Sequence, residues 1–478
     1  MNKIIKLLTL PVFLLMISGC SKDKLEEINT NQNNPTDVPS KLLLSDVITR
    51  TAFTITGSDF AFYSSVYVEH NVGIYNQMYN AEIRAGEPIS STTYNNIWGA
   101  AYENLYNLKI IINKTSAGGS EEGNTRVLGM AQILTAYNLA ILTDLMGDVP
   151  YTEALQPGVI FQPKLDKQED LYNEIFTLLD QAIVNLAAET IFPSVGGQDF
   201  LFGGDAAMWT KFAYGLKARY TTHLAIRNGG KWNEVIEYAN NSFVAGENAA
   251  FEYDGSATNS PFYTFFTDRD YFGASQSLHD KLVSMNDPRD SAFFQPYPGE
   301  ESVVFAPNGN PDQVQGVYGI SALMSPTAPT YLMTYHEIEF LKAEAYARLN
   351  QNDNAKASLE NAVKGAFAKI GLSEEVATTY FTNEVSPRFD AQPLKEIMLQ
   401  KYLGFYEEES IEAYNDIRRL QAMGENYITL SNPLNTSQFP LRFTYGADDV
   451  TTNLNVAGAY GDGSYVYTEK VWWAGGNR

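Results

Sequence analysis

Residues 126–155, RVLGMAQILTAYNLAILTDLMGDVPYTEAL, constrain the fold more than any other stretch. Val127, Met130, Ala131, Leu134, Tyr137, Ile141 and Leu145 recur at three- and four-residue steps, the period of one face of an α-helix. Ile133, Ala136, Leu139 and Ala140 put apolar side chains on other faces, so the helix must be covered on more than one side. A segment of this kind needs helical neighbours and belongs at the centre of a helical array. Gly147 stops it. Pro150 keeps the chain from resuming, because it lacks an N–H and pushes Val149 out of the α region.

The helical period returns on both sides. It begins near Ser40 with Leu42, Leu43, Val47 and Ile48, and a second run covers Ala61 to about Tyr75. A third extends from about Thr92 to Asn113, and Gly118-Gly119 separates it from the central helix. Beyond the central turn come Asp166 to Ala188, Ala206 to Ile226 with Asp205 as N-cap, Tyr331 to Leu349, and Asn354 to Ile370. The spacing predicts an all-α fold of tetratricopeptide-like helix pairs, without the strict repeat of about 34 residues that a regular solenoid shows. From about Gly246 to Pro329 the period fades, and Pro, Gly and aromatic residues crowd in. Residues 246–329 are expected to form a long irregular, aromatic-rich insertion, and such segments inside a folded chain are usually functional.

Charge and cysteine usage narrow the class. With 33 basic and 56 acidic residues the chain carries −23, which repels nucleic-acid phosphates. Nucleic acid is therefore excluded as a partner. A single cysteine, Cys20, rules out an intrachain disulfide and a multi-cysteine metal site. It follows Lys3, Lys6, an apolar run from Leu7 to Ile17, and Ser18-Gly19, which together read as a secretory signal over residues 1–19. That run is too short to span a bilayer, and no other apolar stretch reaches spanning length. Residues 20–39 are polar and rich in Asn, a tether rather than a folded element.

Several of these segments resemble one family. TDLMGDVPYTEAL closely resembles the hallmark of the SusD/RagB family, nutrient-binding lipoproteins of bacterial outer membranes, where it follows a core helix. LKEIMLQKYLGFYEEESIEAYNDIRRL, residues 394–420, resembles the family's closing helix pair. Phe439-Pro440-Leu441-Arg442-Phe443 and Val471-Trp472-Trp473 fit its ending. Within that pair Arg418 and Arg419 are read structurally, as guanidinium groups pairing carboxylates near a helix end. Ile17-Ser18-Gly19-Cys20 resembles a lipobox, which implies that Cys20 is acylated, as with palmitate, and becomes the first mature residue; the alternative is a plain signal peptide with a chance cysteine. Dual acylation holds a protein stably on a membrane.

The resemblance implies a single SusD-like helical domain over residues 40–478. It also implies a surface-exposed, outer-membrane lipoprotein that binds an oligosaccharide and delivers it to a TonB-dependent, SusC-like transporter. A peptide-binding member of the same family is the alternative, and a glycoside hydrolase on a helical scaffold is a third reading. No catalytic motif is found: there is no G-x-S-x-G, no P-loop and no HExxH, and the calcium-like start at Asn308 lacks its glycine and glutamate. The expectation is a binding protein with no catalytic residue, metal or cofactor.

Sugar recognition needs rings on a rigid base with amides and carboxylates beside them. Two stretches supply both, and neither reads as regular helix. One carries Tyr75, Asn76, Gln77 and Tyr79; the other carries Tyr263, Phe266, Asp268, Arg269 and Tyr271. They are expected to meet on one face of the array as a shallow site, the alternative being two unrelated packed loops.

Overall fold

The computed structural model describes residues 37–85 and 92–478, so the signal segment, Cys20 and most of the tether lie outside the described residues. Helix α1 (Ser40–Thr49) runs straight into a π-helical segment, Arg50–Thr56, and is followed by α2 (Asp59–Tyr67), strand β1 (Asn71–Gly73) and α3 (Asn76–Glu82). Then come α4 (Asn95–Thr115), α5 (Thr125–Met146), α6 (Gln168–Ala187), α7 (Ala206–His223) and α8 (Trp232–Asn240). The later part holds β2 (Ala249–Phe251), α9 (Pro261–Arg269), β3 (Phe272–Ala274), α10 (Gln276–Ser284), β4 (Phe294–Gln295), β5 (Ile320–Ser321) and β6 (Thr330–Met333). It closes with α11 (Tyr335–Arg348), α12 (Asn352–Lys369), α13 (Pro393–Gly404) and α14 (Ser410–Ala422), followed by short helical turns. Successive helices from α4 to α8 pack on one another, α8 packs on α11, and α11 on α12. The strands form two-stranded antiparallel ribbons: β1 with β3, β2 with β6, and β4 with β5.

Helix α5 is the hub. It is buried on every face from Gly129 to Met146. It is also long and apolar enough to cross a membrane, contrary to the reading that no such stretch exists, but it is enclosed by protein. A Cβ on Gly129 would lie 2.7 Å from Leu186 Cγ, so the bare backbone there sets how closely α5 and α6 approach. The turn after α5 is tied down throughout. Gly147 takes φ 81°, and a Cβ there would meet the Arg442 guanidinium at 2.6 Å. The orphan carbonyls of the last turn receive guanidinium donors: Arg418 reaches Asp144 O at 2.8 Å, and Arg442 reaches Met146 O. Asp148 accepts the Gln168 N–H at 2.8 Å and so starts α6.

Arg419 pairs with Glu344 at 2.7 Å and Asp416 at 2.8 Å, all buried, as expected. Arg418 departs from that expectation. It caps α5 and lies 4.2 Å over the Tyr414 ring, because the cation meets the negative end of a helix rather than a carboxylate.

Three further expectations are corrected. Helix α2 ends at Tyr67 rather than Tyr75, since Glu69 takes φ 64° and its carboxylate accepts the N–H groups of Ser431 (2.8 Å) and Asn432 (2.7 Å). Residues 330–333 are strand, and α11 begins only after Thr334, which accepts the Glu337 N–H at 3.2 Å in an N-cap. The 246–329 insertion is not uniformly irregular, for it contains α9, α10 and most of the short strands.

Candidate ligand-binding site

The β1–β3 ribbon decides where the two predicted stretches go. Gly73 pairs with Phe272, and the Ile74 N–H donates to Tyr271 O at 2.9 Å. Residues 75–79 leave one strand as residues 262–271 enter the other, so antiparallel pairing brings them to the same end. Asn76 Nδ2 donates to the Tyr271 hydroxyl at 3.1 Å, and the Tyr75 and Tyr271 rings lie 5.6 Å apart.

Both stretches are helical, against expectation. In α9, Pro261 occupies the first turn, where its missing N–H costs nothing, and Phe262, Phe265 and Phe266 follow at helical spacing. The aromatic composition hid that period. Helix α3 is a single short element that draws its support from elsewhere: Glu82 accepts the Gly73 N–H at 3.3 Å and Asn432 Nδ2 at 3.2 Å. A Cβ on Gly73 would sit 1.8 Å from Met78 O, so α3 rests directly on the strand backbone.

A cavity of about 600 Å³ opens between α2, α3 and α9. Asn76, Gln77, Asp268, Arg269 and Tyr271 line it. Tyr271 is only 9% exposed, so it supports the wall rather than offering a platform. Tyr75 stands beside Tyr271 but, like Tyr79, Tyr263 and Phe266, does not line the cavity, Phe266 being turned toward Tyr297 at 6.2 Å. The rings presented are instead Phe53, 37% exposed on the π-helical segment, and Phe265 on α9. Phe265 is fixed by Phe62, whose ring lies 4.5 Å away, and Phe62 also contacts Phe262 at 4.9 Å.

Sequence reasoning missed Phe53, Ser58, Asp59, Asn96, Thr264 and Phe265. Gly57-Ser58-Asp59 carried the available signal, a helix stop followed by a helix start. A Cβ on Gly57 would lie 2.9 Å from both Ala52 O and Pro261 Cγ, which is how this turn joins α9.

Burial pushes the Asp59 carboxyl up to about 6. Asp59, Gln77, Asp268 and the Arg269 guanidinium make no hydrogen bond or ion pair among the described residues. They are free to meet a ligand. Burial also raises the Asp270 carboxyl, opposed by the Gly316 N–H at 2.9 Å, and Asp270 ends α9 with φ 50°.

The histidines are structural. His223 lies between Asp144 (3.2 Å) and Glu412 (2.9 Å), His336 contacts Glu409 at 2.8 Å, His279 contacts Asp290 at 2.8 Å, and His70 contacts Tyr402 O at 3.1 Å. Among the described residues no group of three or more His, Cys, Asp or Glu is arranged to hold a metal ion.

Residues 32–446 match the family described as "Starch-binding associating with outer membrane". The chain belongs to the SusD-like family. A SusD/RagB family protein from Bacteroides thetaiotaomicron is 44% identical, with a TM-score of 0.86 over 92% of this chain and 100% of that one. A chitin-binding protein, 24% identical, has a TM-score of 0.71 over 90% of this chain and 100% of its own. A chitin-binding SusD homolog from Flavobacterium johnsoniae, 18% identical, gives 0.71 over 91% and 98%. No curated protein matches the chain. The SusD-like family comprises outer-membrane-associated nutrient-binding proteins rather than enzymes, and they work in general with SusC-like transporters. Its fold is the tetratricopeptide-like helical one described above.

Proposed function

We propose that this SusD-like protein captures an oligosaccharide in the cavity between α2, α3 and α9 and passes it to a TonB-dependent, SusC-like transporter. The observation that carries the reading is the juxtaposition, on one wall, of the half-exposed rings Phe53 and Phe265 with Asn76, Gln77, Asp268 and Arg269. Sugars present an apolar face and a rim of hydroxyls, which suit rings and amide or carboxylate groups respectively. The likeness to chitin-binding relatives favours a glycan over a peptide. Cys20, acylated after removal of residues 1–19, tethers the domain to the outer membrane through residues 20–39, facing outward.

A glycan and peptide array followed by calorimetry tests the ligand class. The expected result is glycan binding that weakens in Phe53→Ala and Phe265→Ala, with no hydrolysis products. Peptide binding without glycan binding would move the ligand class. Steady product release abolished by Asp59→Asn or Asp268→Asn would revive the hydrolase. Labelled palmitate should be incorporated by the wild type and lost in Cys20→Ala; label retained there would refute the anchor.

A further inference from the structure

The cavity wall contains a carboxylate that the fold does not use. Asp59 opens α2 beside the apolar rings of Phe53, Phe62 and Phe265, and no described cation, N–H or hydroxyl is bonded to it. A carboxylate removed from water without a partner costs stability, and proteins usually supply one. Elsewhere in this chain each buried carboxylate has a partner on at least one oxygen: Glu344, Glu409 and Glu412 meet Arg419, Lys369 and His223 within 3 Å, and Glu407 and Asp270, each with one oxygen left over, accept the Ser321 hydroxyl and the Gly316 N–H. The charged side chains facing the same cavity are Asp268 and Arg269, both on α9 and both exposed, so carboxylates outnumber cations there.

Resting on the oligosaccharide reading above, we infer that Asp59 is a specificity-determining residue that selects glycans bearing a free amino group. An ammonium gives the half-buried carboxylate the full positive charge and N–H donors it lacks, in a charge-assisted hydrogen bond stronger than one from a neutral hydroxyl. An N-acetylated sugar carries no such charge. Asp268, in contrast, is exposed to solvent and needs no counter-ion. Arg269 has three-carbon reach and an exposed position, which let it swing to a hydroxyl instead of filling the Asp59 position.

Asp59 also stands in the first turn of a helix, where a carboxylate ordinarily stabilises. The two roles differ in sign. Burial raises the Asp59 carboxyl from 3.8 to about 6, so the ionised form is disfavoured by the fold, and its cost grows as pH rises from about 4 through 6. Asp59→Asn should therefore raise the melting temperature at pH 8 and leave it unchanged at pH 4. A purely structural, helix-start role predicts a fall at pH 8.

The binding experiment compares glucosamine oligomers with N-acetylglucosamine oligomers of equal length, by calorimetry at pH 7, on wild type, Asp59→Asn and Phe265→Ala. The expected result is at least tenfold tighter binding of the amine form by the wild type, a preference erased in Asp59→Asn. Equal or preferred binding of the N-acetyl form, or a preference untouched by Asp59→Asn, overturns the inference. If those oligomers still depend on Phe265, the oligosaccharide reading survives; if neither binds, the amine inference falls, and the oligosaccharide reading falls with it only if no glycan on the array binds.

Discussion

The C-terminal end of α5 and the cavity wall formed by α9 are both crowded with polar groups, yet they treat them oppositely. At the end of α5 the charged and carbonyl groups meet protein partners: Arg418 and Arg442 take the last carbonyls, Asp148 starts α6, and Arg419 is held between Glu344 and Asp416. Along the cavity wall, Asp59 of α2, Gln77 of α3 and Asp268 and Arg269 of α9 have side chains without partners among the described residues. A largely paired hub, although the Nε atoms of Arg418 and Arg442 are buried without a partner, makes one rigid framework, and an unpaired wall leaves hydrogen-bonding capacity for something that is not protein. Mutations in the first region should cost the fold, and mutations in the second should cost the ligand.

The largest effect is expected at Arg419. Replacing it with Met leaves Asp416 and Glu344 buried beside each other with fewer cations, which costs about 3–5 kcal/mol. Urea denaturation measures this, and the variant that remains folded should bind ligand as the wild type does. A shift under about 1 kcal/mol would mean that water or neighbouring Arg348 and Lys401 compensates, and that the hub is less saturated than its geometry implies.

Tyr271 tests the boundary between the two regions, since it is buried but touches the cavity. Tyr271→Ala should lose about 2–4 kcal/mol of stability, as large-to-small core changes do, and should also weaken binding by freeing Asn76. Tyr271→Phe keeps the ring and removes only the hydroxyl, so it should spare the fold and report on Asn76 alone. Lost binding with unchanged stability in Tyr271→Ala would show that the ring is a platform after all.

Solution pH offers a smaller perturbation of the hub. Burial lowers the His223 pKa, but Glu412 and Asp144 outweigh it and the net result is a rise from 6.5 to about 9. A histidine whose pKa is raised by folding binds its proton more tightly in the folded state. Its contribution is therefore complete below about pH 6.5 and is lost as pH climbs through 9. Denaturation midpoints should decline between pH 7 and 9.5 in the wild type and decline less in His223→Gln. A parallel decline in both would assign the loss to other groups.

How much of this was legible in the sequence follows the same division. Helices with long apolar periods, α4 to α7 and α12, were placed within a few residues, because a buried face repeats over many turns. The same information fixed Gly147 and Asp205. Elements stabilised from a distance were not legible: nothing near Glu69 says that Ser431 and Asn432 will bind its carboxylate, and nothing near Gly73 says that α3 will rest on it. The candidate site was half-read for that reason. Asn76, Gln77, Asp268, Arg269 and Tyr271 line one wall, while Phe53 and Asp59 come from a turn whose Gly57 only makes sense once Pro261 is seen against it.

The smallest expected change in stability, and the sharpest test of the comparison, is at Phe53. The ring sits on a π-helical segment, a bulged helix that commonly marks functional positions because it costs backbone hydrogen-bond geometry. It is 37% exposed, and its one aromatic neighbour among the described residues is the edge of Tyr253, at 6.2 Å, so truncation removes less buried surface than at the 9% exposed Tyr271. Phe53→Ala should therefore cost about 1 kcal/mol of stability, less than Tyr271→Ala. If the ring is a central contact for a sugar face, the same variant should lose about 1–3 kcal/mol of binding. Calorimetric titration with an oligosaccharide, beside thermal unfolding of the same sample, reads both quantities. A melting temperature that falls as in Tyr271→Ala, with affinity intact, would make Phe53 a staple between the π-helical segment and Tyr253. The unpaired wall would then begin at α9 alone, and the ligand would rest on Phe265 without a second ring.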